Sequence, residues 1–280
     1  MLIELSSPVS AAEFGIEERL GPFFGSPESP LARVVLRWEE CAQPPIPRGD
    51  LIYDPGSIWK MYRAGPDWYA ALRYSNWGGA VQTQGVLRAN PGWDDLTLSE
   101  HRTGAVWRGL LLAIAGELLL ATNAVLTDGL VLHASGVDDN GQGVVFIGHS
   151  GAGKSTQLGL WSQESGVTPM NDDRIVVRVE ARGPMCYGAP WGSTANITCN
   201  RQVPLSALIL LEQAKENNIQ RLSPSVSALL LLARTLLPYW DRELMQRAMT
   251  NLDAILSCVP VYRLRCRPEP EVVSVVRSVL

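Results

Sequence analysis

The chain has 280 residues, enough for one large domain or two smaller ones, and its 46% hydrophobic and 19% charged composition is that of a globular protein with a sizeable core. A formal net charge of -4 and the lack of any Lys/Arg-rich block argue against nucleic acid as a partner. Cys41, Cys186, Cys199, Cys258 and Cys266 form no C-x-x-C and no zinc spacing; with an N-terminus, MLIELSSPVS, that lacks a signal-peptide pattern, they suit a reducing, cytoplasmic setting.

Residues 1–127 read as a β-rich N-terminal recognition region. Tyr, Trp, Val and period-2 alternation mark strands at Ala32–Trp38, Leu51–Tyr53, Ile58–Arg63, Trp68–Tyr74 and Val81–Ala89, with Pro- and Gly-containing turns between them. Trp38, Trp59, Trp68, Trp77 and Trp93 suit cross-strand and core packing, with a ligand platform as the alternative. Thr97 and Glu100 fit a capping box, which predicts a helix running from there toward Asn123. Within it, Gly109–Leu126 approaches the length of a membrane span, but Glu117 in its middle and Gly109 and Gly116 favour a buried core helix, so no membrane partner is expected.

Residues 128–280 carry the chemistry. Leu130–Val137 and Gly143–Ile147 flank DDNGQG, a strong hairpin signal, and Asp138-Asp139 fall in that turn without a function. A helix over Ser155–Ser165, strands at Arg174–Glu180, Leu205–Leu211 and Val261–Cys266, and helices at Ser225–Leu237, Trp240–Ser257 and Pro270–Val279 follow. The leucine-rich part, Val226–Leu237, reads as core, with a subunit interface, and so a homo-oligomer, as the alternative.

Gly148-His149-Ser150-Gly151-Ala152-Gly153-Lys154-Ser155-Thr156 fits the phosphate-binding pattern G-x-x-x-x-G-K-[ST]. Glycines let backbone N–H groups turn inward around a phosphate, Lys154 supplies a point charge to the β/γ-phosphates, and the Ser155 hydroxyl ligates Mg2+. The apolar run Val144–Ile147 before it and the helix after it give the strand–loop–helix context, with the positive end of the helix dipole at the phosphates. Asp172-Asp173 is the candidate for metal ligand and catalytic base, against a solvated turn, which N-D-D also suits. His133, in the otherwise apolar VLHASGV, is a core histidine or a residue that bonds a phosphate or orients an aspartate. Arg174, Arg178 and Arg201 are weaker phosphate candidates, and Gly188–Ser193, with Trp191, is a shaped loop that would cover the acceptor.

LHASGV, a hairpin, GVVFIGHSGAGKST and then NDDRIVV resemble the HPr kinase/phosphorylase catalytic domain and its relatives, over roughly residues 128–212. That resemblance implies an α/β fold with a phosphoenolpyruvate carboxykinase-like P-loop kinase core. It also implies ATP- and Mg2+-dependent phosphorylation of a serine hydroxyl, with Lys154 at the β/γ-phosphates, Ser155 and one aspartate on the metal, the other aspartate as base, and His133 on the strand before the loop. Relatives of this type also occur beside peptide-modification genes, where some phosphorylate a precursor peptide. The chain departs from the family pattern at Thr156, where bacterial HPr kinases carry Glu, and in its first 125 residues.

Taken together, the expectation is a serine kinase with ATP and Mg2+ as cofactors and a serine-containing peptide, protein or small molecule as acceptor. The competing class is an ATP-binding regulatory or assembly protein without an acceptor. A carboxykinase-like enzyme would need more metal-binding residues than His101, His133 and His149 leave room for.

Overall fold

The computed structural model describes residues 2–7, 20–23, 25, 32–56, 58–74, 82–101, 114–192 and 197–280. Two compact units divide the chain, one of residues 1–123 with Tyr239–Arg242 and one of residues 124–238 with 243–280. Each carries its own β-sheet, which makes the fold mixed α/β.

The first unit is built on β1 (Leu2–Ser6), β2 (Arg33–Glu40), β3 (Asp50–Tyr53), β4 (Trp59–Ala64), β5 (Asp67–Tyr74), β6 (Gln82–Ala89) and β7 (Asp95–Glu100), in the order β1-β2-β7-β6-β5-β4-β3. Alternation along the strands sets the core face: Val34, Leu36 and Trp38 on β2 and Leu96 and Leu98 on β7 are buried. Trp38 Nε1 donates to the buried Glu100 at 2.9 Å, and Trp240 meets Trp59 edge-on at 5.4 Å and Trp93 at 6.0 Å. The tryptophans here therefore pack; Trp77 lies outside the described residues.

The capping box at Thr97 does not start a helix. Asp95–Glu100 is a strand, because T-x-x-E here overlies a stronger period-2 pattern whose two leucines are fully buried. Residues 102–113 lie outside the described set, and the helix that is described, α1, spans Gly116–Leu126. Among the described residues no helix is long and apolar enough to cross a membrane.

In the second unit β8 (Gly129–Asp139) and β9 (Gln142–Ile147) form the expected hairpin. Its turn is tighter than DDNGQG suggested: Asn140 and Gly141 alone make it, with φ of 52° and 89°, the left-handed pair of a two-residue hairpin. Asp138 and Asp139 are strand residues, not turn residues. Both are buried, Asp138 against Arg201 and Asp139 against Arg277 Nε and Nη2, each at 2.9 Å. Helix α2 (Lys154–Trp161), β10 (Val167–Asn171), β11 (Arg174–Glu180), β12 (Gly183–Gly188), β13 (Gln202–Gln213), β14 (Asn218–Arg221), α3 (Pro224–Leu232), α4 (Arg242–Cys258), β15 (Val261–Cys266) and α5 (Glu271–Arg277) complete the chain.

Pairing closes β8, β11, β12, β13 and β9 into a ring. Two glycines let it close: a Cβ at Gly143 would lie 2.3 Å from Cys186 Sγ, and one at Gly136 would lie 2.7 Å from Ile175 Cδ1. Burial pushes the Cys186 thiol up to about 12, so it behaves as a small apolar filler. All five cysteines are free. On one side of this sheet α4 seats Leu244, Ala248, Leu252 and Ile255, a helical stripe, while Asn251 Nδ2 donates to the carbonyls of Val125 and Gly129 at 3.0 Å. On the other side α2 and α5 pack Leu158, Trp161, Val272 and Val276 against Val144, Phe146 and Ile209.

Helix α3 is shorter and less buried than the sequence suggested. It ends at Leu232, and beyond it the chain turns to pair with β8. Only Ser227 and Leu231 of α3 are buried, whereas Val226 and Leu229 are exposed.

Candidate functional site

The loop after β9 gains its shape from its glycines. A Cβ at Gly148 would lie 2.5 Å from the Ala152 Cβ, so the loop can fold back on itself only with glycine there. Gly151 and Gly153 have φ of 81° and 107°, and a Cβ would meet nothing within 4 Å at either. They are glycines for their backbone angle, and open space lies before them. Gly153 is the N-cap of α2 and no side chain caps that end, which leaves N–H groups of the first turn pointing at the opening.

Lys154 is buried, and its ammonium donates to the carbonyls of Gly148 at 3.0 Å and His149 at 3.3 Å. The loop thus holds its own cation in place. Ser135 on β8 ties the start of α2 to the sheet through the Lys154 carbonyl at 3.2 Å. Ser155 and Thr156, next in the same first turn, are exposed at the cleft.

Asp172 and Asp173 stand at the bend between β10 and β11. Asn171 makes that bend: its Oδ1 accepts from the N–H groups of Asp173 at 2.7 Å and Arg174 at 2.6 Å. Its amide donates to the carbonyls of Ala189 at 2.7 Å and Trp191 at 3.0 Å, anchoring the bend to the following loop. The N-D-D run is therefore both a turn and a pair of carboxylates presented to the cleft. A Cβ at Gly192 would lie 2.8 Å from Asp172 Oδ1, so glycine leaves that carboxylate its room.

His133, Ser150, Gly151, Gly153, Lys154, Ser155, Thr156, Asp172 and Asp173 line one cleft of about 320 Å³, within the range of small-ligand sites. His133 is a cleft residue, not a core one: its ring is 40% exposed and its Nε2 lies 3.1 Å from Asp173 Oδ1. That contact is the geometry that the orienting role requires.

Electrostatics divide the site. Burial lowers the Lys154 pKa; Asp173 opposes that, and the charges of Arg234 and Arg174 add to it. Burial would raise the Asp173 carboxyl, but the hydrogen bond to His133 and the charges of Arg174, His133 and Lys154 outweigh it and hold the group below the usual carboxylate range. Asp173 is therefore an anion throughout the neutral range.

Other candidates fall elsewhere. Arg174 Nη1 bonds Asp173 Oδ2 at 2.6 Å and so braces the acid. Arg178 donates to the Thr127 carbonyl at 2.7 Å, and Arg201 serves Asp138. Trp191 is buried and offers no open ring face for stacking; Ser193 lies outside the described residues. Among the described residues no group of three or more His, Cys, Asp or Glu could by itself hold a metal. Sequence reasoning passed over Asn171 as an organiser, although N-D-D contained it.

Residues 109–276 match the family described as SynChlorMet cassette protein ScmC, a span of more than half the chain. The chain belongs to the ScmC family. That span contains the loop, His133 and both aspartates. Among solved structures, the Hpr(Ser) kinase/phosphatase from Coxiella burnetii is similar at 14% identity and a TM-score of 0.31, over 53% of this chain and 94% of that one. No curated protein matches the chain.

Proposed function

We propose that this ScmC-family protein is a cytoplasmic ATP- and Mg2+-dependent kinase that transfers the γ-phosphate to a serine-type hydroxyl of a peptide, protein or small molecule. The observation that carries the reading is convergence: the loop glycines, Lys154, Ser155, both aspartates and His133, drawn from separate stretches of chain, line a single cleft.

The residues fit the groups this requires. A phosphate-binding loop needs inward N–H groups and a held cation, which the left-handed Gly151 and Gly153 and the tethered Lys154 supply. Magnesium is ordinarily held by one or two carboxylates together with nucleotide phosphates, so a Ser155 hydroxyl and the Asp172 carboxylate suffice without a three-acid cage. The metal, when bound, neutralises developing charge on the phosphates.

The chain's own groups then do the following. Lys154 holds the β/γ-phosphates. Asp173, oriented by His133 and braced by Arg174, accepts the proton of the acceptor hydroxyl as its oxygen bonds to the γ-phosphorus and the bond to the ADP oxygen breaks. His133 also offers a site to which that proton can move on. Asp173's depressed pKa makes it a weak base at rest, which suits a loose phosphoryl-transfer transition state in which little proton transfer is needed early.

The test is transfer from γ-labelled ATP to serine-containing peptides, proteins and free serine, with Mg2+ present or chelated. Label incorporation that requires Mg2+ and is lost in Lys154→Ala supports the kinase. Tight ATP binding with no transfer to any hydroxyl would instead support the nucleotide-binding regulatory class.

A further inference from the structure

The glycine loop is held partly by bonds to itself. Lys154 donates to the Gly148 and His149 carbonyls, and the Ala152 N–H donates to the His149 carbonyl at 3.1 Å. At its tip a bond leads out to the sheet: Gln213 Nε2 donates to the Gly151 carbonyl at 2.8 Å.

Strand β13 sets Gln213 there. It runs parallel to β9, with Leu210 the partner of Ile147, so β13 continues past the point where β9 gives way to the loop. Leu211 shares an apolar cluster with Ala152 and Leu158, and its Cβ lies 3.6 Å from where a Cβ at Gly148 would be. Two residues further along the strand, Gln213 projects from the same face. Its backbone is fixed in turn by pairing with Cys266 of β15.

Gly151 is where such a tie matters. It lines the cleft, has φ of 81° and offers no side chain, and a Cβ there would meet nothing within 4 Å, so packing does not fix its peptide planes. A trans peptide sets the Gly151 carbonyl and the Ala152 N–H on opposite sides of one plane. With the carbonyl drawn to Gln213 and the N–H to His149, that plane is held from both ends. Released from Gln213, it can turn its carbonyl toward the opening, where an oxygen dipole repels phosphate as the N–H groups attract it.

We propose that Gln213 is a positioning residue that latches Gly151, so that the loop keeps its phosphate-binding shape before nucleotide arrives. The role rests on the kinase reading above. Gln213 acts through the loop and touches no substrate. Once phosphates are bound they hold the N–H groups themselves, so the latch raises the fraction of free protein ready to bind and leaves the chemical step alone.

The experiment compares wild type with Gln213→Met, which keeps the length and loses the donor, and Gln213→Glu, which keeps the shape and sets an acceptor against the carbonyl. Each is measured for Mg-ADP affinity by calorimetry, for steady-state transfer from ATP to a hydroxyl acceptor labelled in the assay above, and for thermal melting. Expected for Met are Mg-ADP affinity lower by about fivefold, the worth of one neutral hydrogen bond, an ATP KM raised by about the same factor, and kcat within about twofold. Glu should lose more, about tenfold or beyond, because a carboxylate repels both the carbonyl and the phosphates. Gln213 is exposed, so the melts should not move. A Met variant with the Mg-ADP affinity of wild type overturns the latch and leaves the kinase reading standing, as does one whose kcat and melting point fall together. A wild type that binds Mg-ADP but transfers no phosphate overturns the kinase reading, and Mg-ADP affinity alone then decides the latch. A wild type that binds no Mg-ADP overturns both.

Discussion

Asp138-Asp139 and Asp172-Asp173 are the same dipeptide in the same unit, placed in opposite surroundings. The first pair lies in β8, buried, with Arg201 on one carboxylate and Arg277 doubly bonded to the other. The second lies at a bend that Asn171 shapes, beside a glycine loop, with Lys154, His133 and open space before it. In the first, each carboxylate is neutralised by an arginine of its own, and the pair ties the hairpin to the loop at Arg201 and to α5. In the second, the acids share a cleft with cations and exposed hydroxyls, so charge remains to be used. The difference teaches that what an acidic pair can do depends on what its cations are free to do, which is a tertiary property.

Lys154→Ala should break the comparison most sharply. Removing the only ammonium of the glycine loop should lower ATP turnover by about 10³-fold or more, about 4 kcal/mol of transition-state stabilisation, while circular dichroism stays that of wild type. A folded variant with normal turnover would show that the loop is only a turn. Next come Asp172→Asn and Asp173→Asn, each expected to cut phosphoryl transfer by about 10²-fold. Asp172→Asn alone should weaken the Mg2+-dependent part of ATP affinity. Because the Asp173 pKa is depressed in the folded protein, the stability it contributes is full above the usual carboxylate range, and it is lost only as pH falls through the lowered folded value. The acid limb of the rate profile should therefore lie below the ordinary carboxylate pKa in wild type, and Asn at 173 should abolish that limb.

The first pair is sharpened by its own substitution. Asp139→Asn leaves Arg277 with Glu164 as its remaining carboxylate, and with that guanidinium 34% exposed the cost should be about 1 kcal/mol, less than for a fully buried pair broken outright. Denaturant melts read that loss, and turnover should hold within twofold. A large fall in turnover with unchanged stability would reverse the roles given to the two pairs.

How much of this was legible in the chain follows from the range of the interactions. The hairpin, the loop, the helix after it and β15 rest on local patterns, namely Asn-Gly, glycine spacing and an apolar run, and all were readable. Ring closure was not, since it depends on β12 meeting β13 and β13 meeting β9. Nor were the short strands β10, β12 and β14, in which Pro169, Gly183 and polar residues mask the strand pattern. Asp95–Glu100 was misread because a four-residue capping motif can be spelled by chance within an alternating strand. At the site, residue types named the loop, the acids and His133. That they line one cleft and that Asn171 aims the acids are matters of register, which no local pattern encodes.

The smallest effect, and the finest test of the comparison, is expected from His133→Ala. A histidine buried in the core would leave kinetics intact and cost about 1–3 kcal/mol when removed. Its ring is 40% exposed, so little packing is lost, and the interaction removed is the one at 3.1 Å to Asp173. That bond is foremost among the influences lowering the Asp173 pKa. Without it the carboxyl rises toward its ordinary value, so the acid limb of the rate profile should move to higher pH, and melting near neutral pH should fall only by the share of the Asp173 contribution that this bond supplies. Turnover at neutral pH should fall about tenfold, near 1.4 kcal/mol, because the acid loses its orientation but not its charge. The limb shift is the decisive readout: misfolding would lower the whole profile without moving it, whereas loss of an orienting partner moves it. Arg174 remains on the other oxygen of Asp173, which is why the loss should stay well short of that in Asp173→Asn. A His133→Ala variant with an unmoved limb and a lowered melting point would return His133 to the packing residues and leave Asp173 no better served by a cleft partner than Asp139 is by Arg277.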